Sequence, residues 1–165
     1  MTKKKILFVC MGNICRSPAA EAIMKKKIKE NGLAEKIEVD SAGTIDYHVG
    51  EQADPRMIGF AANRGYIIDS VARQFDPKKD FNRFDYIVTM DNNNYDDIKL
   101  FDKDDKYDNK IFRMVDFCET FSSNKIPDPY YSGKDGFDLV LDMLEDSTKG
   151  LLNKVLGDVK QQNKI

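Results

Sequence analysis

With 165 residues, 33% of them charged, the chain is long enough for one domain with a sizeable core, spanning residues 1–165. Its 26 basic and 28 acidic side chains nearly cancel, so no overall field selects nucleic acid or an anionic membrane, and no apolar run approaches the ~18 residues of a membrane span. Met1-Thr2-Lys3-Lys4-Lys5 leads straight into an apolar strand without the core of a secretion signal, making the cytoplasm the expected compartment, and three cysteines without disulfide or zinc spacing fit reduced thiols, with no metal and no cofactor called for.

Ile6-Leu7-Phe8-Val9 is short and β-branched enough to read as a buried strand. After the loop Cys10–Cys15, a helix is expected from about Ser17-Pro18, because proline suits the first helical turn, and Ala19 to Glu30 is rich in helix formers before Asn31-Gly32 stops it. Ile37 to Ser41 alternates as a second strand, with Ala42-Gly43-Thr44 at its carboxyl end and a loop, Ile45 to Gly50, beyond. Asp54-Pro55 reads as a cap followed by proline at the first position of a helix running to Asn63. Ser70 to Gln74 is a connector and Asp76-Pro77 opens a short helical turn. Asp85 to Met90 is the third strand, with Asp91 at its carboxyl end capping the next helix. Asn92 to Asp108 is polar and helical only at first, and Ile111 to Met114 is a fourth short strand. Pro127 and Pro129 make Ile126 to Tyr131 a stiff loop, since each removes a donor and biases its predecessor to extended geometry. Gly136 to Gly157 carries Phe137, Val140, Leu141, Leu144, Leu151, Leu152, Val155 and Leu156 at helical spacing, and Lys160 to Ile165 is expected to fray.

Chemistry concentrates in the first of these connections. A loop that joins a strand to a helix start converges backbone N–H groups and the positive end of the helix dipole on one spot, which suits an anion. Arg16 adds a planar fork for two phosphate oxygens, and Cys10, at the mouth, is placed where N–H dipoles and Arg16 favour thiolate over thiol. A thiolate facing a bound tetrahedral oxyanion is a nucleophile aimed at phosphorus. The leaving group then needs an acid, and Asp128, held between two prolines, is the candidate.

The string Cys10-Met11-Gly12-Asn13-Ile14-Cys15-Arg16-Ser17-Pro18 resembles the phosphate loop of the low-molecular-weight protein tyrosine phosphatases. Asp40-Ser41-Ala42-Gly43-Thr44, Val71-Ala72-Arg73-Gln74, Phe84-Asp85-Tyr86-Ile87 with Met90-Asp91, and Asp128-Pro129-Tyr130-Tyr131 agree in order and separation, so the resemblance runs over nearly the whole chain. It implies a single α/β domain of three layers, α/β/α, around a four-stranded parallel twisted sheet. It also implies hydrolysis of phosphotyrosine monoesters through a phosphocysteine, with phosphotyrosyl proteins as partners and a monomer capable of weak self-association.

Position by position, the resemblance makes Asn13 the residue whose side chain shapes the loop and Ser41 its partner. Ser17 becomes the hydroxyl that stabilises the thiolate, although a plain helix cap is compatible with it as well. Gly12, Ile14 and Cys15 contribute to the phosphate cradle, and Cys15 is the thiol able to pair reversibly with Cys10 under oxidants, or else simply packs. Met11, Tyr47 and Tyr130 resemble the walls of an aromatic slot suited to a phenyl ring. His48, the sole histidine, lacks a second histidine for a metal and is assigned no base or ligand role, and Cys118, among Phe117 and Phe121, is assigned to the core.

Two other activities of the same fold are alternatives. A thioredoxin-coupled arsenate reductase needs two further cysteines a few residues apart, and only Cys118 lies outside the loop. A phosphoarginine phosphatase carries threonine in the loop where this chain has Ile14, which is apolar for a guanidinium.

Overall fold

The computed structural model describes residues 2–163. Four parallel strands, β1 (Lys4–Cys10), β2 (Ile37–Gly43), β3 (Tyr86–Thr89) and β4 (Ile111–Arg113), form one sheet in the order β2-β1-β3-β4. Five α-helices connect and cover them: α1 (Arg16–Glu30), α2 (Pro55–Asn63), α3 (Pro77–Arg83), α4 (Asn92–Phe101) and α5 (Lys134–Gln162), with short 3-10 turns on either side of β4.

The two-residue period of β1 divides the core. Ile6, Phe8 and Cys10 join one cluster with residues of α1, α2 and α5, whereas Leu7 and Val9 join another with Phe81, Phe84 and Ile98. Every residue from Ile6 to Val9 has no exposed surface, as a central strand covered on both faces requires. Parallel strands with helices on both faces are the expected three-layer α/β/α arrangement. All four strands are parallel, so the segments after Cys10, Gly43 and Thr89 leave the sheet at one edge.

Two boundaries differ from the sequence reading. α1 starts at Arg16, with Cys15 as its cap residue, so Ser17 is a helical residue and its hydroxyl is free for another partner. α5 runs to Gln162: Val155 is its last buried residue, Tyr86 Oη donates to Asp158 Oδ2 at 2.5 Å, and Lys160 to Gln162, expected to fray, continue the helix as exposed residues, while Lys164 and Ile165 lie outside the described residues. Asp54, Asp76 and Asp91 cap α2, α3 and α4, each accepting a backbone N–H in the first turn. Cys118 is half-buried, not a core residue, and burial followed by the Asp146 charge pushes its thiol up to about 11. Among the described residues no helix is long and apolar enough to cross a membrane.

Candidate active site

The loop Met11–Cys15 leaves β1 and enters α1 with no side chain capping the helix start, and among the described residues no protein acceptor takes the backbone N–H of Met11 through Ser17. Orphan donors at a helix N-terminus are the ordinary means of holding a tetrahedral anion. Cys10, 3% exposed, places its Sγ 3.0 Å from Ser17 Oγ. Ser17 therefore faces the thiol from inside the helix, and its reading as a simple cap is replaced.

A polar lattice fixes the shape of the loop. Asn13 has φ 58°, a left-handed conformation that asparagine tolerates better than most residues. Its amide donates to Ser17 Oγ at 2.8 Å and to Ser41 Oγ at 3.0 Å, and its oxygen accepts the backbone N–H of Arg73 at 3.0 Å. Ser41 Oγ in turn donates to Glu21 Oε1 at 2.6 Å. Asn13, Ser17, Glu21 and Ser41 are all buried, so each bond is made in a medium where losing it strands a polar group. Gly43, paired with Cys10 across β1 and β2, permits the loop to lie this close: a Cβ there would meet Met11 O at 2.7 Å.

Arg16 closes the far side. Its Nη1 donates to Asp91 Oδ2 at 2.6 Å and to the carbonyl of Ile126 at 3.0 Å, and Nη2 lies 3.8 Å from Asp128 Oδ2. Burial works against its charge, but negative charge at Cys10 and the Asp91 carboxylate outweigh it, so the guanidinium pKa lies above its ordinary value. Cys15 behaves oppositely. Its burial, with the charges of Asp54, Cys10 and Asp128, raises its thiol well above the ordinary range and keeps it protonated at neutral pH.

Above the loop is a cleft of about 340 Å³, lined by Cys10, Met11, Gly12, Ile14, Cys15 and Arg16 below and by Ile45, Tyr47, His48, Asp128, Tyr130 and Tyr131 at the rim. The expected wall residues Met11, Tyr47 and Tyr130 are thus brought together with Cys10, Arg16 and Asp128. Asp128 Oδ1 accepts the backbone N–H of Tyr130 at 3.1 Å, and its side chain remains 47% exposed. Three members of this neighbourhood are given no place in the site by the sequence reading. His48 lines the cleft, bonded through Nδ1 to Glu51, and lies where a Cβ on Gly12 would reach its Cδ2 at 3.0 Å. Glu21 and Arg73 anchor the loop from α1 and from the connector. Asp91 was legible as a strand-end carboxylate, but its pairing with Arg16 follows only from the adjacency of β3 and β1. No group of three or more His, Cys, Asp or Glu side chains among the described residues is placed to hold a metal.

A buried thiol ringed by free amide donors, with a buried arginine opposite and a carboxyl at the rim, defines an α/β protein equipped to handle phosphoryl groups. The chain belongs to the low molecular weight phosphotyrosine protein phosphatase family, whose model matches residues 5–162. A Synechocystis protein named for the same family is 48% identical, over 92% of this chain and 96% of its own. The crystal structure of a protein tyrosine phosphatase from Entamoeba histolytica superposes with a TM-score of 0.90 at 48% identity, covering 99% of this chain and 100% of that one. That of a Drosophila arginine phosphatase gives 0.84 at 31% identity, covering 91% of this chain and 96% of its own.

Proposed function

We propose that the protein hydrolyses phosphotyrosyl side chains of proteins, acting as a cytoplasmic monomer through a cysteinyl-phosphate. Cys10 Sγ attacks phosphorus while the phosphate oxygens occupy the loop N–H groups and the Arg16 guanidinium. The bond from phosphorus to the phenolic oxygen breaks, and Asp128 gives that oxygen its proton. Water then attacks the thiophosphate and gives a proton to the Asp128 carboxylate, which restores the acid, the free thiolate and inorganic phosphate. Ser17 donates a hydrogen bond to the thiolate, which is better hydrogen-bonded than alone in a buried site. Fixed donors around the equatorial oxygens favour the transition state, where charge is spread over them.

The observation that carries the reading is the meeting of Cys10, Arg16 and Asp128 in one cleft with tyrosine rings at its rim. A slot walled by Met11, Tyr47 and Tyr130 rewards a flat ring by stacking and burial. Likeness to the arginine phosphatase keeps a phosphoguanidino substrate as the second reading. Ile14 in the cleft floor favours a phenyl ring over a guanidinium, which would be stripped of water there without a polar partner. Arsenate reduction is disfavoured, because Cys118 is half-buried and absent from the cleft lining, leaving no relay thiol beyond the loop.

Release of phosphate from p-nitrophenyl phosphate, run beside phosphotyrosyl, phosphoseryl and phosphoarginyl peptides of one sequence, tests the assignment. The phosphotyrosyl peptide is expected to be turned over fastest. Faster release from the phosphoarginyl peptide would transfer the assignment to the second reading.

A further inference from the structure

Arg56, in the first turn of α2, is held in place by its neighbour two residues earlier. Its backbone N and Nε donate to Asp54 Oδ1 at 2.9 and 3.1 Å, and Nη2 donates to Asp54 Oδ2 at 2.8 Å. Asp54 is itself tied to the phosphate loop, because its backbone N–H donates to the carbonyl of Ile14 at 2.9 Å. The guanidinium so fixed lies over two rings. One is Phe137, a fully buried residue at the start of α5, 4.8 Å from the guanidinium carbon to the ring centre. The other is Tyr130, at 5.4 Å. Tyr130 is the residue whose backbone N–H holds the Asp128 carboxylate. A planar cation stacks on such rings as an ammonium cannot.

We infer that Arg56 is a positioning residue for the general acid: it joins the phosphate loop to the Asp128–Tyr130 segment and so fixes where the acid stands over the thiol. The inference rests on Asp128 being the acid. Apart from the approach of Arg16 Nη2 to Asp128 Oδ2 at 3.8 Å, which reaches the carboxyl and not the Tyr130 ring, the segment has little else to hold it. Tyr131 is 96% exposed, Asp128 is half-exposed, and the nearby bonds are local, such as Ser132 N to the carbonyl of Pro129 at 2.8 Å. Without Arg56 the Tyr130 ring loses its cover on the α2 side, and the carboxyl samples positions too far from the leaving oxygen. Proton donation falls while thiolate attack and phosphate binding are untouched.

The test compares kcat/KM for phenyl phosphate, whose leaving group needs a proton, with p-nitrophenyl phosphate, whose leaving group does so far less. It uses wild type, Arg56→Ala, Arg56→Lys, Asp128→Asn and the double variant Arg56→Ala with Asp128→Asn, with vanadate inhibition as the measure of an intact loop. Arg56→Ala is expected to slow phenyl phosphate roughly 10-fold and p-nitrophenyl phosphate less than about 3-fold, a loss of the size that small misplacement of a reacting group produces. Vanadate inhibition should be unchanged, and the substitution should add nothing once Asp128 is Asn, since coupled residues are not additive. Equal slowing of both substrates, or losses that multiply in the double variant, would overturn the inference, as would undiminished activity. If Arg56→Ala loses vanadate binding, Arg56→Lys, which keeps an ion pair to Asp54 but no planar face, carries the comparison: the same selective loss supports stacking, and wild-type behaviour overturns it. Lack of leaving-group dependence in Asp128→Asn alone would instead remove the acid assignment, before any Arg56 variant is considered.

Discussion

The two loops that form the cleft are built on opposite terms. The phosphate loop is buried and cross-tied: Asn13, Arg16, Ser17 and Ser41 are each almost fully enclosed, and Asn13 alone bonds three partners on three segments. The Ile126–Tyr131 segment has Ile126 buried and anchored through its N–H to the carbonyl of Met90 at 2.8 Å, but it then runs outward to an exposed carboxyl and an almost bare Tyr131. The difference follows from what each must hold. Donors that stabilise a spread anionic charge work best when fixed in advance and shielded from water, whereas a group that gives up a proton and later takes one from water must stay wet.

If this contrast is right, the largest loss comes from the buried side. Cys10→Ser should leave the loop, its anion binding and the thermal unfolding temperature nearly intact, because the oxygen can keep the bond to Ser17, yet turnover should fall by several powers of ten since an alcohol is not ionised there. Arg16→Lys should fall nearly as far, as a point charge cannot replace a fork that already spends Nη1 on Asp91 and Ile126. Retention of more than about a tenth of wild-type kcat by either variant would exclude the cysteinyl-phosphate route.

The exposed side should break differently, by leaving group. Asp128→Asn is expected to slow a tyrosyl leaving group by roughly 10²–10⁴-fold and aryl phosphates with acidic phenols much less. A plot of kcat/KM against phenol pKa should be steeper for the variant than for wild type. Equal slopes would move the acid role to another carboxyl, and Asp91, already engaged by Arg16, would be the next to test.

Between the two lies Gly43, where the sheet meets the loop. Gly43→Ala would drive a Cβ to within 2.7 Å of Met11 O, so the loop must shift or β2 must separate from it. Overpacking of this kind costs about 1–3 kcal/mol, and here it should also weaken vanadate binding, since the displaced atoms belong to the cradle. Urea unfolding and vanadate titration together check it; lost stability with full vanadate affinity would mean that β2 yields and the loop does not.

The buried loop was the more legible of the two in the sequence, and for a physical reason. Its geometry is encoded locally: a strand end, a residue tolerant of positive φ at Asn13, a cationic fork at Arg16 and a proline at the second residue after it lie within one short stretch. Its supports are not. Glu21 reaches Ser41 across 20 residues, Asp91 reaches Arg16 across 75, and neither pairing has a sequence signature apart from the order of the strands. Asp128 stood out because prolines flank it, yet nothing in Pro129-Tyr130 indicated that Arg56 would cover the ring. The helix start is expected from the sequence at about Ser17-Pro18, one to two residues late, for a related reason: a proline suits any position of the first turn and so does not fix the first one, and the placement of Ser17 against Cys10 depends on that difference.

The smallest expected effect concerns Asp54, the residue bonded to both loops' neighbours. Hydrogen bonds from Arg56 hold its carboxyl below the usual range, more than offsetting burial, which acts in the other direction. A depressed folded pKa means that the stabilisation is present above the unfolded value of about 3.9 and is lost as pH falls through the folded value. Asp54→Asn keeps a cap of similar quality but no charge to pair with Arg56, so at pH 6 it should be slightly less stable than wild type, as expected for a local charge pair whose cation is exposed to solvent. That gap should narrow on acidification below pH 4, because the wild type then loses the same charge. Urea unfolding of both proteins at pH 6 and near pH 3 measures it. A gap that stays constant with pH would show that the ion pair with Arg56 contributes nothing, and that Asp54 serves α2 only as a cap.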